Sequence, residues 1–116
     1  MKKILVVEDN HYYQKLLKKA LEQEKLEVII ADNGRTALEI VGKEKIDLVI
    51  LDILMPEMDG ITFYYKLKNI VKIHLPIIVL TNVSDAAGYS KDIKEVMIKT
   101  NVSIQEVVEK VKKYLK

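Results

Sequence analysis

Cysteine is absent from the chain, which excludes disulfides and thiolate metal sites and fits a reducing compartment. Arg35 is the lone arginine among 19 lysines and arginines. Arginine is the usual reader of guanine edges and phosphate forks, so this balance argues against direct nucleic-acid binding. No apolar run approaches the roughly 20 residues of a membrane helix. The stretch Met1 to Val7 is also too short for a signal-peptide core, so the chain is expected in the cytoplasm, away from any membrane. No glycine-rich loop follows the first apolar run, where Asn10, His11 and Tyr12 stand, which removes the usual nucleotide cradle. No repeat, low-complexity tract or linker divides the 116 residues, and one domain spanning 1–116 is expected.

What is present is an ordinary globular composition, 49% hydrophobic and 31% charged, with a formal net charge of +2. The lysines at 110, 112, 113 and 116 suit the last turn of a helix, where cations face the negative end of the helix dipole. Short apolar runs rich in branched residues alternate with helical periodicity. Ile4 to Val7, Val28 to Ala31, Leu48 to Leu51, Ile77 to Leu80 and Val96 to Ile98 read as strands. Tyr13, Leu16, Leu17, Ala20 and Leu21 share one helical face, and so do Phe63, Tyr64, Leu67, Ile70 and Val71. Asp32, Asn33 and Gly34 turn into a helix carrying Ala37, Leu38 and Val41, with Gly42 placed to end it. Ser103 and Glu106 form a capping box before the stripe Ile104, Val107, Val108, Val111 and Leu115. Alternation of this kind predicts an α/β fold: a flavodoxin-like, doubly wound, five-stranded parallel sheet, order 2-1-3-4-5, with helices on both faces.

In that order a crevice opens at the carboxyl ends of strands 1 and 3, where the connections reverse direction. Glu8 and Asp9 follow strand 1, Asp52 follows strand 3, Thr81 follows strand 4 and Lys99 follows strand 5. Singly, each reads as a turn residue, a β-former or a surface lysine; their shared rim is the signal. Two unit charges about 4 Å apart repel by roughly 4 kcal/mol at an effective dielectric near 20, so clustered carboxylates require a cation. Hard oxygen ligands without histidine or cysteine favour Mg²⁺, which keeps open positions for phosphate oxygens. Asp52 is then the nucleophile that takes a phosphoryl group, Glu8 and Asp9 hold the metal, Lys99 supplies an opposing positive charge, and Thr81 offers a hydroxyl. His11 and His74 are expected at the surface, with Tyr12 and Tyr13 packing against the core and covering the pocket rim.

The chain resembles the receiver domain of two-component response regulators, of the stand-alone chemotaxis type, over essentially its whole length. The blocks carrying this are Ile4-Leu-Val-Val-Glu-Asp-Asn10, Asp47-Leu-Val-Ile-Leu-Asp-Ile-Leu-Met-Pro-Glu-Met-Asp-Gly60, Pro76-Ile-Ile-Val-Leu-Thr81 and Lys99. The resemblance implies that Asp52 accepts phosphate from a sensor histidine kinase or phosphotransfer protein. It implies Mg²⁺ on Glu8, Asp9, Asp52 and the backbone carbonyl of Leu54, with Lys99 and Thr81 reading out the phosphate to a downstream protein target. Such a module is not an enzyme beyond its own phosphorylation and dephosphorylation. The alternative is a Mg²⁺-dependent aspartyl-phosphate phosphatase or phosphotransferase. It calls for a second acid two residues past the nucleophile, where this chain has Leu54.

Two departures from the family pattern stand out, and a third feature lies at positions that vary within it. The stretch between Thr81 and Lys99 is shorter than usual by about four residues, roughly one helical turn, so the helix between strands 4 and 5 is expected to be shortened or missing. Val96 occupies a switch position that is usually aromatic. Leu54 and Val83 are apolar where a polar group would orient attacking water, which implies slow self-dephosphorylation.

Overall fold

The computed structural model describes residues 1–53, 59–82 and 92–116. The elements are β1 (Lys3–Val7), α1 (His11–Glu22), β2 (Glu27–Ala31), α2 (Gly34–Lys43), β3 (Leu48–Leu51) and α3 (Gly60–Lys66). A π-helical stretch (Leu67–Val71), β4 (Ile77–Thr81), β5 (Ile93–Ile98), a 3-10 turn (Lys99–Asn101) and α4 (Ile104–Tyr114) follow. All strand pairs are parallel, in the order β2-β1-β3-β4-β5. The expected fold is thus observed. The segment in which a shortened helix was anticipated lies outside the described residues.

The sheet divides the core in two because strand side chains alternate. Ile4 and Val6 of β1, Leu48 and Ile50 of β3, and Ile78 and Leu80 of β4 pack with Leu17 and Leu21 of α1 and Val107, Val108 and Val111 of α4. Leu5 and Val7, Val49 and Leu51, and Ile77 and Val79 face the other way, against Ala37 and Val41 of α2 and Phe63 and Leu67 of the α3 segment. Burying each such side chain contributes about 1.5–3 kcal/mol, so two apolar layers hold the central strands from both sides. That double cover explains why β3 and β4 read as unbroken apolar runs and are buried at every position.

Three local expectations need correction. The α2 helix runs through Gly42 to Lys43, and its C-cap is Glu44 in extended backbone, so Gly42 sits inside the helix and does not end it. Ile70 and Val71 are 66% and 37% exposed. From Leu67 the chain winds as a π-helix, with the Lys72 N–H donating to the Leu67 carbonyl, and this wider turn rotates both side chains off the face that Phe63 and Leu67 bury. Finally, β5 starts at Ile93 and not at Val96; a register shift between Ile77 and Ile78 of β4 absorbs Lys94. Lys94 and Glu95 obscure the strand in the sequence, and charges of this sort are common on an edge strand. Glu95 is held by the Tyr114 hydroxyl at 2.8 Å and by Lys110 at 3.2 Å, both from α4.

Candidate functional site

Glu8 and Asp52 stand just past the last residues of β1 and β3. Pairing of Val7 with Leu51 brings the two strand ends level. The Asp52 N–H donates to the Val7 carbonyl and the Glu8 N–H to the Ala31 carbonyl, both at 3.0 Å. The sheet's own ladder therefore carries the acids to its rim. Glu8, Asp9 and Asp52 each present a carboxylate oxygen within 4.8 Å of the other two, with Glu8 and Asp52 buried and Asp9 exposed. Among the described residues, this is a group of acids able to hold a metal ion.

Lys99 arrives from the turn after β5 and joins the acids. Its Nζ lies 2.5 Å from Glu8 Oε1 and 3.1 Å from Asp52 Oδ2. Burial disfavours the ammonium, but the hydrogen bonds to Glu8 and Asp52 outweigh it and leave the Lys99 pKa raised. Burial likewise pushes the Glu8 carboxyl above the usual carboxylate range, only partly countered by Lys99 and by the Asn10 N–H. Thr81 closes β4, is fully buried, and pairs with Ile98, the residue before Lys99. All five residues expected on one rim, at the ends of four strands, are on it. Leu54 and Val83 lie outside the described residues.

Apart from Tyr13, which is expected at the rim, the other residues that shape the pocket were not singled out for this in the sequence. Gln14, a polar position between the apolar Tyr13 and Leu17, is buried; its Nε2 donates to the Glu8 carbonyl and, at 2.6 Å, to Asp32 Oδ1, tying the ends of β1 and β2 together. Asn10 caps α1 by accepting the Tyr13 N–H at 2.9 Å, and its own N–H donates to Glu8 Oε2 at 3.0 Å. Tyr13 places its ring centroid 4.7 Å from Lys99 Nζ. Gly60 opens α3 against the backbone that follows β3: a Cβ there would overlap the Asp52 carbonyl oxygen and lie 2.8 Å from Ile53 Cα. Its N–H donates to the Ile53 carbonyl at 2.9 Å. The spacing of Asp59 and Thr62, a helix cap, is the only local signal for this junction. His11 is exposed, as expected, and His74 pairs with Asp92 at 3.0 Å on the opposite end of the sheet. Tyr12, in contrast to the expectation of a packed or rim-covering ring, is 72% exposed, because it stands on a face of α1 turned away from the buried Leu17 and Leu21.

A doubly wound parallel sheet thus carries three carboxylates and a lysine at its topological switch point, where folds of this class bind their ligands. The sequence description "Response regulator receiver domain" matches residues 4–112, and the chain belongs to that family, the receivers of two-component response regulators. Sporulation initiation phosphotransferase F of Bacillus subtilis is 34% identical over 117 residues, covering 97% of this chain and 93% of that protein. The response regulator TrrA of Thermotoga maritima, solved in complex with Mg²⁺-BeF, is 37% identical with a TM-score of 0.85, covering 98% of this chain and 99% of that one. The transcriptional regulatory protein CrdR of Helicobacter pylori is 35% identical over 86 residues, which is 74% of this chain but 40% of the regulator's length. The chain thus spans less than half of a relative of that kind. Among the described residues, no helix is long and apolar enough to cross a membrane.

Proposed function

We propose that residues 1–116 form one receiver that is phosphorylated on Asp52 in a Mg²⁺-dependent reaction and thereby alters which protein it binds. The observation that carries this reading is the Lys99 ammonium lodged between buried Glu8 and Asp52, beside Asp9. Three oxygen donors within 4.8 Å of each other suit a small hard cation. The Mg²⁺-BeF complex of TrrA lends support from a relative. Glu8, Asp9, Asp52 and the Leu54 carbonyl would hold Mg²⁺, which when bound neutralises charge on the incoming phosphoryl oxygens.

The chain's own groups do the rest. An Asp52 oxygen attacks phosphorus in line; as that bond forms, the bond from phosphorus to the donor's imidazole nitrogen breaks, and the electron pair leaves with the imidazole. Lys99 turns its charge to the phosphoryl oxygens, and Thr81 donates its hydroxyl to one of them. The new dianionic group gives these two residues different partners from those they have at rest, which is the difference a partner can read. The donor is a sensor histidine kinase or a phosphotransfer protein, the recipient of the signal a downstream protein, and the setting the cytoplasm. Beyond its own phosphorylation and dephosphorylation the receiver catalyses no reaction.

Incubation with acetyl phosphate and Mg²⁺, followed by intact mass, tests the proposal. One phosphoryl group is expected on the wild-type chain and none on Asp52→Ala or with the metal chelated. Equal labelling of Asp52→Ala would overturn it.

A further inference from the structure

Lys99 Nζ has a third neighbour that carries no charge. The face of the Tyr13 ring lies 4.7 Å away, completing an enclosure in which the Lys99 side chain is only 13% exposed. We infer that Tyr13 is a positioning residue for Lys99, its ring holding the ammonium at the phosphoacceptor when the carboxylates change partners. This rests on the phosphoacceptor reading above and adds to it.

The argument follows from what each contact does during the reaction. Two of the ammonium's hydrogens go to Glu8 and Asp52. Phosphorylation converts Asp52 into an acyl phosphate, and Glu8 serves as one of the acids facing the metal, so both anionic contacts are withdrawn from Lys99 at the step that needs it. The ring takes part in neither change. Its attraction for a cation comes from the negative face of the π system and strengthens as water is excluded. Its position is also fixed independently of Lys99. Tyr13 stands in the first turn of α1, its N–H bound at 2.9 Å to Asn10 Oδ1, and the Asn10 N–H in turn binds Glu8 Oε2 at 3.0 Å. One cap thereby sets both the carboxylate and the ring that flank the ammonium. The competing explanation is plain packing, since Tyr13 also touches the core layer under α1 and α4.

Rates of phosphorylation by acetyl phosphate with Mg²⁺ separate the two. Replacing the ring in Tyr13→Leu is expected to slow the reaction about three- to thirty-fold, and Tyr13→Phe to stay within about two-fold of wild type. In a Lys99→Met background, Tyr13→Leu should bring no further slowing, because the ring acts only through the ammonium. If Tyr13→Leu melts early, Tyr13→Met supplies an apolar side chain without a ring, with the same expectation. Labelling of Tyr13→Leu at the wild-type rate, or an equal slowing with and without Lys99, overturns the inference and leaves Asp52 as phosphoacceptor intact. A wild-type chain that takes up no phosphoryl group overturns both.

Discussion

Replacing Gly60 with alanine should destabilise the protein although alanine is the better helix former. The added Cβ meets the Asp52 carbonyl oxygen and lies 2.8 Å from Ile53 Cα, and both are backbone atoms, unable to rotate away. The strand they extend is paired on one side with β1 and on the other with β4, so relief must come from lifting the start of α3. Overpacking of this kind costs about 1–3 kcal/mol. Loss of the 2.9 Å bond from the Gly60 N–H to the Ile53 carbonyl adds about 1 kcal/mol. Against this, a glycine-to-alanine change gains about 0.4–1 kcal/mol by restricting the unfolded chain. The clash wins, for a net loss of about 1–3 kcal/mol, or roughly 4–12 °C in melting temperature for a domain of this size. Gly42→Ala provides the opposite sign. That glycine is in an exposed helix interior with nothing within 4 Å of its Cβ position, and the variant should gain about 0.5–1 kcal/mol. Thermal unfolding by circular dichroism on both variants is decisive. A Gly60→Ala protein that melts at or above the wild-type temperature would refute the close-approach argument.

Three further outcomes are expected. Lys99→Met should lose about 3 kcal/mol of stability in chelator, because two buried carboxylates are left without their cation; millimolar Mg²⁺ should return part of it, and an unchanged melting curve in both conditions would contradict the ion-pair assignment. The Glu95 carboxyl titrates below its ordinary 4.5, chiefly through the Tyr114 hydroxyl hydrogen bond. Its contribution to stability is therefore present above 4.5 and lost as pH falls through the lower folded-state value; Tyr114→Phe should raise the Glu95 midpoint in an NMR titration and flatten that acid slope. The phosphorylated protein should keep its label for minutes or longer at neutral pH, since Leu54 and Val83 offer attacking water no polar guide, and decay within seconds would show that reasoning to be mistaken.

Strand positions were legible where burial on both faces left an uninterrupted apolar run, as in Leu48 to Leu51. They were obscured where an edge strand carries charge, as at Lys94 and Glu95, whose partners Lys110 and Tyr114 are supplied by a distant helix. Helical faces were readable as long as the winding stayed at its ordinary period; the π-helical stretch after Lys66 breaks the count and sends Ile70 and Val71 to solvent. Gly42 resembled a helix stop because composition says nothing about the backbone angle a glycine adopts. The acids and Lys99 could be placed on one rim because each follows a strand in a sheet of known order. Tyr13 was legible at the rim but not as a neighbour of Lys99, and Gln14 and Gly60 were not legible there, because these contacts, to Lys99, to Asp32 and to Asp52, run across the fold and no local spacing announces them.

The lysine already seated between Glu8 and Asp52 has a consequence for how a divalent ion is admitted. Under the proposed function, binding of the ion would exchange one cation for another, so occupancy would answer to the work of displacing the resident ammonium as well as to the ion's attraction for three oxygens. The buried carboxylates are thus neutralised from within the fold, and the rim does not depend on a cation drawn from solvent to hold its shape.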